Sequence, residues 1–137
     1  MITKTDSQKI RFMLVGGTNT VIDFGLLFLL RALGLPTIPA NIISTASAFC
    51  FSFFANKKYT FKTTGTNIKR EVILFVAVTL FGLWVLQTVV IAIIAPILST
   101  FIPSMDMALL GAKLVATAVT LAWNYIMYSR VVFNQKP

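Results

Sequence analysis

Four long apolar runs divide this sequence of 137 residues. The hydrocarbon core of a bilayer is about 30 Å thick, so an α-helix rising about 1.5 Å per residue needs about 20 apolar residues to cross it. The runs are close to that length, which predicts an all-α, polytopic membrane protein with four transmembrane helices. We expect a single membrane domain over residues 1–137, with spans at about 12–30, 38–55, 72–98 and 107–128.

The composition limits the partners and the chemistry of the chain. Its residues are 57% hydrophobic and 12% charged, and its net charge is +8. The cations lie beside apolar runs that are too long for a water-soluble face, so we expect membrane lipid, and not nucleic acid, as the anionic partner. The sequence has no glycine-rich phosphate loop and no constellation of metal ligands or nucleophiles, and Asp6 and Glu71 stand alone. We therefore expect no enzymatic activity, no catalytic residue, no metal and no cofactor.

The positions of the cations predict the orientation in the membrane. Lys and Arg residues in short loops are retained on the cytoplasmic side. Arg31 lies in the connection after the first span and Lys113 lies inside the fourth span, but the other ten cations fall on one side. We therefore predict that both termini and the middle loop are cytoplasmic. The ten residues are Lys4, Lys9, Arg11, Lys57, Lys58, Lys62, Lys69, Arg70, Arg130 and Lys136.

The second and fourth spans resemble each other weakly at an offset of 72 residues. Both would run from the outside to the inside, so the match predicts a parallel two-plus-two repeat and not an inverted one. Chance similarity between apolar helices is the alternative, and the first and third spans align poorly. The matched pairs are Ala40 with Ala112, Thr45 with Thr117, Ala46 with Ala118, Lys58 with Arg130 and Phe61 with Phe133.

Two ionisable residues, Asp23 and Lys113, fall inside predicted spans. An acid near the middle of the bilayer costs at least ~2.5 kcal/mol, so Asp23 is expected to face a partner or a hydrated cavity. At about 1.5 Å per residue, Asp23 lies roughly 18 Å and Lys113 roughly 22 Å from the cytoplasmic helix ends. An ion pair lining a polar path, a structural bridge between helices, and a Lys113 that snorkels outward all remain open.

Uncharged polar residues also interrupt the spans. Gly16 and Gly17 are either a notch for helix packing or part of a functional segment, and Gln87 is expected to form an interhelical hydrogen bond. Three amides in the cytoplasmic half can bind sugar hydroxyls or phosphate oxygens. They are Asn19, Asn56 and Asn124.

Basic and aromatic residues close the second and fourth spans. The cations at these ends either bind a headgroup phosphate or anchor the helices at the interface. The candidate phosphate ligands are Arg11, Lys57, Lys58 and Arg130. The aromatic residues are expected to form an interfacial belt, namely Phe12, Phe53, Phe54, Tyr59, Phe61, Tyr125, Tyr128 and Phe133.

Three motifs resemble those of the GtrA-like family, over essentially the whole chain. Residues 12–23 read FMLVGGTNTVID, residues 52–61 read SFFANKKYTF, and the closing segment keeps Asn124, Arg130 and Phe133. The fourth span departs from the family pattern, because it ends on one cation where members often show an Asn and two basic residues. The motif positions are occupied by Asn19, Asp23, Asn56, Lys57, Lys58, Asn124 and Arg130.

The resemblance implies translocation of a polyprenyl-phosphate-linked sugar, such as undecaprenyl-phosphate-glucose, across the bacterial inner membrane. The sugar would then modify O-antigen, teichoic acid or a similar polysaccharide. In this interpretation Asn19, Asp23, Asn56, Lys113 and Asn124 line the path of the sugar. The implied partners are the lipid-linked sugar, membrane lipid, a membrane glycosyltransferase and further copies of the chain.

Two other functions remain as alternatives. A non-transporting anchor would recruit a polyprenyl-phosphate glycosyltransferase to the membrane through the basic face. A small multidrug exporter would use Asp23 as its cation or proton site, although Lys113 at similar depth opposes a cationic substrate.

Overall fold

The computed structural model of the chain describes residues 3–134, so Lys136 of the predicted basic tail lies outside the described part. Within that part all regular structure is helical, and four helices are long and apolar enough to cross a membrane. The predicted all-α class and the four spans are thus confirmed. The four helices are Lys4–Ala32, Thr37–Thr60, Ile68–Ser99 and Met105–Val132.

Three of these helices change from α- to π-helical geometry. The first helix is α throughout and is named α1. The second and fourth helices end in a π-helical segment, and the third contains one in its middle. The elements are α1 (Lys4–Ala32), α2 (Thr37–Ala55), the first π segment (Asn56–Thr60), α3 (Ile68–Leu80), the second π segment (Phe81–Leu86), α4 (Gln87–Ser99), α5 (Met105–Met127) and the third π segment (Tyr128–Val132).

Local sequence signals explain the ends of α1. The Thr3 side chain accepts a hydrogen bond from the Asp6 backbone N–H, and the Asp6 carboxylate accepts one from the Thr3 N–H. This capping box begins the helix well before the apolar run, since it satisfies N–H groups that have no partner within the helix. At the other end Gly34 adopts a φ of 95° and donates to the Arg31 carbonyl, while Leu35 donates to the Leu30 carbonyl. This Schellman motif needs a left-handed residue, which glycine supplies.

The third helix is longer than its predicted span. Asn67 caps it, because the Asn67 Oδ1 accepts a hydrogen bond from the Arg70 N–H at 3.1 Å. We expected Pro96 to bend or end this helix near its far side. Pro96 lies inside α4, and the helix ends at Ser99, within one turn of the proline. The Ser99 hydroxyl donates to the Pro96 carbonyl at 2.7 Å.

The chain forms two compact units that divide between Gly65 and Thr66. In the first unit α1 packs against α2. The contact face of α2 carries Ala40, Ser44 and Ala48, which repeat every four residues and are 0–2% exposed. Small residues at this spacing let two helix backbones approach closely, which is how helices associate in lipid.

In the second unit α3 and α4 pack against α5. The buried face of α5 again carries small residues four apart, including Ala108, Ala112 and Ala116. Gly82 is a point of close approach between α5 and the second π segment, since a Cβ atom there would lie 3.1 Å from the Asn124 Oδ1. A packing notch is one of the two interpretations of Gly16 and Gly17, and in the described structure an added Cβ at either glycine would have no atom of a neighbouring helix within 4 Å.

Large apolar side chains cover the outside of both units. Phe28 is 63% exposed, Trp84 is 72% exposed and Leu114 is 65% exposed. A water-soluble protein does not expose apolar surface on this scale, whereas lipid tails are as apolar as these side chains. The chain is a multi-pass membrane protein, and in bacteria the inner membrane is the usual location of such helical proteins. The cytoplasmic placement of the termini, the single domain and the repeat stay predictions.

Candidate functional site

Asp23 is hydrogen-bonded within the first unit. The hydroxyls of Ser44 and Thr45 on α2 donate to Asp23 Oδ1 on α1 at 2.8 and 3.2 Å. Ser44 also lies 3.1 Å from the Asn41 carbonyl, and its single proton serves one acceptor at a time. The acid therefore meets hydroxyl partners on the neighbouring helix. Its predicted pairing with Lys113, which is exposed on α5, stays a prediction.

Arg11 joins the start of α1 to the end of the first π segment. Its Nη2 donates to the Thr60 carbonyl at 3.3 Å, and its Nη1 donates to the Ser7 hydroxyl at 2.9 Å. The guanidinium also lies over the Tyr59 ring, 5.9 Å from the ring centroid. These contacts hold Arg11 in one position and leave its buried Nε without a hydrogen-bond partner.

Two amide oxygens in the first unit are buried without a hydrogen-bond partner. Asn56 is 2% exposed, and its Nδ2 donates to the Ser52 carbonyl and hydroxyl at 2.9 and 3.2 Å. Its Oδ1 has no partner in the described structure, and neither does the Oδ1 of Asn19. A buried acceptor left unsatisfied costs about 1–3 kcal/mol, so such a group calls for a ligand or a water molecule.

Lys57 and Lys58 are adjacent in sequence but occupy different environments. Lys57 is only 7% exposed, and its Nζ donates to the Gly65 carbonyl at 2.8 Å. This contact holds the loop after the first π segment and favours a structural role for Lys57. Lys58 is exposed and is free to reach a headgroup. The phosphate-binding role of both residues stays a prediction.

In the second unit the two candidate residues, Asn124 and Arg130, differ in their exposure. Arg130 is exposed on the third π segment, and Asn124 is half-buried with a buried, unpartnered Oδ1 beside Gly82. Gln87 Nε2 on α4 donates to the Thr117 hydroxyl on α5 at 3.3 Å, which confirms the predicted interhelical hydrogen bond.

Several residues of the predicted aromatic belt lie inside the units instead. Tyr128 is 3% exposed and stacks on Phe75, with ring centroids 4.6 Å apart. The ring centroids of Phe12 and Phe61 lie 6.5 Å apart in the first unit. The belt prediction is wrong for the buried members, because helix pairs bury their aromatic ends against each other. The buried members are Phe12, Phe53, Tyr128 and Phe133.

Seven polar residues on α1, α2 and the first π segment form a group that we name the polar series. Sequence reasoning found four of its members but missed the hydroxyls of Ser44, Thr45 and Thr60. The spacing of Ser44 from Ala40 and Ala48 was the available signal, since it places a hydroxyl on a face of small residues. The polar series consists of Arg11, Asn19, Asp23, Ser44, Thr45, Asn56 and Thr60.

Comparison with known proteins identifies relatives of the chain. The family described as the GtrA/DPMS transmembrane domain matches residues 11–133. The chain is also similar to a protein of Bacillus subtilis (strain 168) named "Uncharacterized membrane protein YngA". The two are 32% identical over 111 residues, which cover 76% of this chain and 75% of the relative. Among residues 3–134 the structure places no cluster of three or more His, Cys, Asp or Glu that would hold a metal ion.

Proposed function

This chain belongs to the GtrA/DPMS transmembrane-domain family, which relates it to polyprenyl-phosphate sugars, and from that premise we propose that it translocates such a lipid-linked sugar across the membrane. The substrate has an anionic, polar head that must cross hydrocarbon and a long apolar tail that stays in lipid. A protein for this task needs polar side chains at successive depths.

The polar series is the observation that carries the proposal. Arg11 and Asp23 lie twelve residues apart on one helix, a distance of roughly 18 Å at about 1.5 Å per residue. Asn19 lies between them along α1. A headgroup moving along α1 would therefore meet polar partners over more than half of the ~30 Å hydrocarbon core.

Each group in the series has a suitable chemistry for the head of the substrate. The guanidinium of Arg11 attracts the phosphate, and the unpartnered oxygens of Asn19 and Asn56 accept hydrogen bonds from sugar hydroxyls. Asp23 can exchange the hydroxyls of Ser44 and Thr45 for those of the sugar, since the geometry of the acceptor is already set. The process makes and breaks no covalent bond, in line with a family whose members are generally non-catalytic translocation proteins.

We assign undecaprenyl-phosphate-glucose or a similar lipid-linked sugar as the substrate. The translocated sugar would be used by a membrane glycosyltransferase that modifies O-antigen, teichoic acid or a related polysaccharide. Four helices enclose little volume, so we propose that the working form is a homo-oligomer.

Reconstitution into liposomes tests the proposed function. A labelled polyprenyl-phosphate sugar is loaded in one leaflet, and its accessibility from the other side is measured over time. We expect acceleration over protein-free vesicles, and a lower rate for Asn56→Ala, which removes one unpartnered oxygen. No acceleration, together with retained recruitment of a glycosyltransferase, would identify the chain as a non-transporting anchor. Faster exchange of organic cations, with none of the lipid, would identify an exporter.

A further inference from the structure

The first unit contains a cavity of about 350 Å³ between the first turns of α1 and the end of the first π segment. Three of its lining residues are cations, and among the described residues that line it none is acidic. The lining includes Lys4, Gln8 and Arg11 from α1, and Thr60, Phe61 and Lys62 from the other wall. Of these, only Arg11 was among the candidate phosphate ligands from the sequence.

The wall of the cavity contains polar groups that are buried and unsatisfied. Thr60 is fully buried, and its Oγ1 has no hydrogen-bond partner in the described structure. The Nε of Arg11 is likewise buried without a partner, while the rest of its guanidinium is fixed by Ser7 and the Thr60 carbonyl. A fixed guanidinium loses little entropy when it binds an anion, because its geometry is already set.

Lys62 reaches the cavity from a strained backbone position. Its φ of 52° is left-handed, a conformation in which the Cβ atom of an L-residue lies too close to the following carbonyl oxygen. The turn is held by the Phe61 N–H donating to the Asn56 carbonyl and the Thr63 N–H donating to the Lys57 carbonyl, each at 2.9 Å. Strain retained in this way is typical of functional sites, and here it places a third cation on the cavity wall.

The cavity also lies at a suitable depth for a lipid headgroup. Arg11 immediately precedes Phe12, the first residue of the apolar run, and Lys4 lies two turns farther out on α1. Lipid phosphates lie at this boundary between charged and apolar residues, where they attract Lys and Arg side chains. The cavity cations are therefore at the position along α1 where a lipid phosphate is expected.

We propose that this cavity binds the phosphate of a membrane lipid. Arg11 supplies a directed pair of donors, and Lys4 and Lys62 supply mobile point charges, which is the donor set that phosphate prefers. The identification of that lipid as polyprenyl phosphate rests on the proposed function. Inorganic phosphate presents the same chemistry, so the test separates the two sources.

Binding to the full chain in neutral phosphatidylcholine nanodiscs tests the proposal. The probes are undecaprenyl phosphate, phosphatidylglycerol and inorganic phosphate, each measured by native mass spectrometry. The double variant Lys4→Gln/Lys62→Gln is compared with the control double variant Lys9→Gln/Lys69→Gln. Lys9 and Lys69 are exposed and lie outside the cavity lining. All four substitutions are at exposed positions, and the melting temperature of each variant checks that it is folded.

We expect the cavity pair to weaken undecaprenyl phosphate binding by about tenfold or more, which equals the loss of about 1.4 kcal/mol. The matched control pair should change it by less than about twofold, because neither Lys9 nor Lys69 lines the cavity and distant exposed charges are screened by salt. Thr60→Val should also weaken binding while it retains the shape of the side chain. Equal losses in the two lysine pairs would overturn the proposal, and so would binding of inorganic phosphate without binding of either lipid.

The outcomes also separate this inference from the proposed function. Lipid binding that depends on the cavity, in a protein that does not accelerate translocation, would support the phosphate site and contradict the transport function. Translocation that is unchanged in the variant with Lys4→Gln and Lys62→Gln, with unchanged binding, would support transport and overturn the phosphate site. Phosphatidylglycerol binding equal to that of undecaprenyl phosphate would support the site and assign it to lipid headgroups in general.

Discussion

The two units contain similar helix pairs, but the residues at the ends of these helices differ. Each second helix buries small residues at matching positions, with Ala40 and Ala112 both 0% exposed. Each ends in a π segment at the offset of 72 residues predicted from the sequence, at Asn56–Thr60 and Tyr128–Val132. These features agree with the predicted repeat, although duplication itself stays a prediction.

The first helices correspond at a different offset, which explains why they align poorly in sequence. Phe12 and Val15 are buried on α1, and Phe75 and Val78 are buried on α3, 63 residues later. The ring centroids of Phe12 and Phe61 lie 6.5 Å apart, and those of Phe75 and Phe133 lie 6.3 Å apart. The stretch from Phe75 to Ala112 is therefore longer than the stretch from Phe12 to Ala40, which changes the offset between the two helices of the pair.

The units differ in the residues at the start of each terminal π segment. The first unit has Asn56 there, with a buried and unpartnered oxygen. The second unit has Tyr128, whose ring stacks on Phe75 and whose hydroxyl is hydrogen-bonded to that of Thr79. At this position the first unit therefore has a polar group that can bind a ligand, whereas the second unit has an aromatic ring and keeps its unpartnered amide oxygen at Asn124, beside Gly82. This contrast predicts that the first unit binds the headgroup and that the second is chiefly structural.

Removal of the aromatic ring from the second unit should have the largest effect. We expect Tyr128→Ala to destabilise the protein by about 3 kcal/mol, because a buried ring and its stacking partner lose their contacts. The matched change Asn56→Ala should cost less than about 1 kcal/mol, since it also removes an unsatisfied oxygen. Unfolding in detergent measures both. Equal losses would contradict the division of roles.

The two units should also differ in their tolerance of alanine at glycine positions. Gly82→Ala should destabilise the second unit by about 1–3 kcal/mol, because the added methyl group meets Thr120 and Asn124 at 3.1 Å. Gly16→Ala should be neutral or stabilise α1 by up to about 1 kcal/mol, since alanine favours the helix. Thermal denaturation of both variants checks this, and a larger loss at Gly16 would place the close helix contact in the first unit.

Asp23→Asn should separate function from stability in the first unit. The carboxamide still accepts the hydroxyls of Ser44 and Thr45, so the stability should change by less than about 1 kcal/mol. The substitution replaces the other carboxyl oxygen, an acceptor for sugar hydroxyls, with an NH2 donor, so we expect sugar translocation to fall about tenfold. Lys113→Gln in the second unit is the comparison. A larger loss of translocation from that change would move the sugar path to α5.

The smallest effect is expected at Lys62. Glycine tolerates the left-handed φ of 52°, so Lys62→Gly should stabilise the protein by up to about 1 kcal/mol. The same change removes a cavity cation and should lower the affinity for undecaprenyl phosphate. Paired melting and binding measurements on one variant test this. Unchanged binding would show that the strained turn does not serve the cavity.

The membrane class, the four spans and the family could all be predicted from the amino-acid sequence. The first two depend on hydropathy summed along the chain, and the family depends on short local motifs. Hydropathy adds over about 20 residues, so an error at one position does not hide a span. The motifs at residues 12–23 and 52–61 likewise lie within single helices.

Which of those residues act together depends on the tertiary structure. It gave Asp23 the hydroxyls of Ser44 and Thr45, and it directed the buried ammonium of Lys57 to the Gly65 carbonyl. It also brought Lys4 and Lys62 to one cavity. These pairings join residues far apart in the chain, and they depend on the rotation of each helix and on changes from α- to π-geometry. A sequence pattern fixes neither of these to within the few ångströms that a hydrogen bond requires.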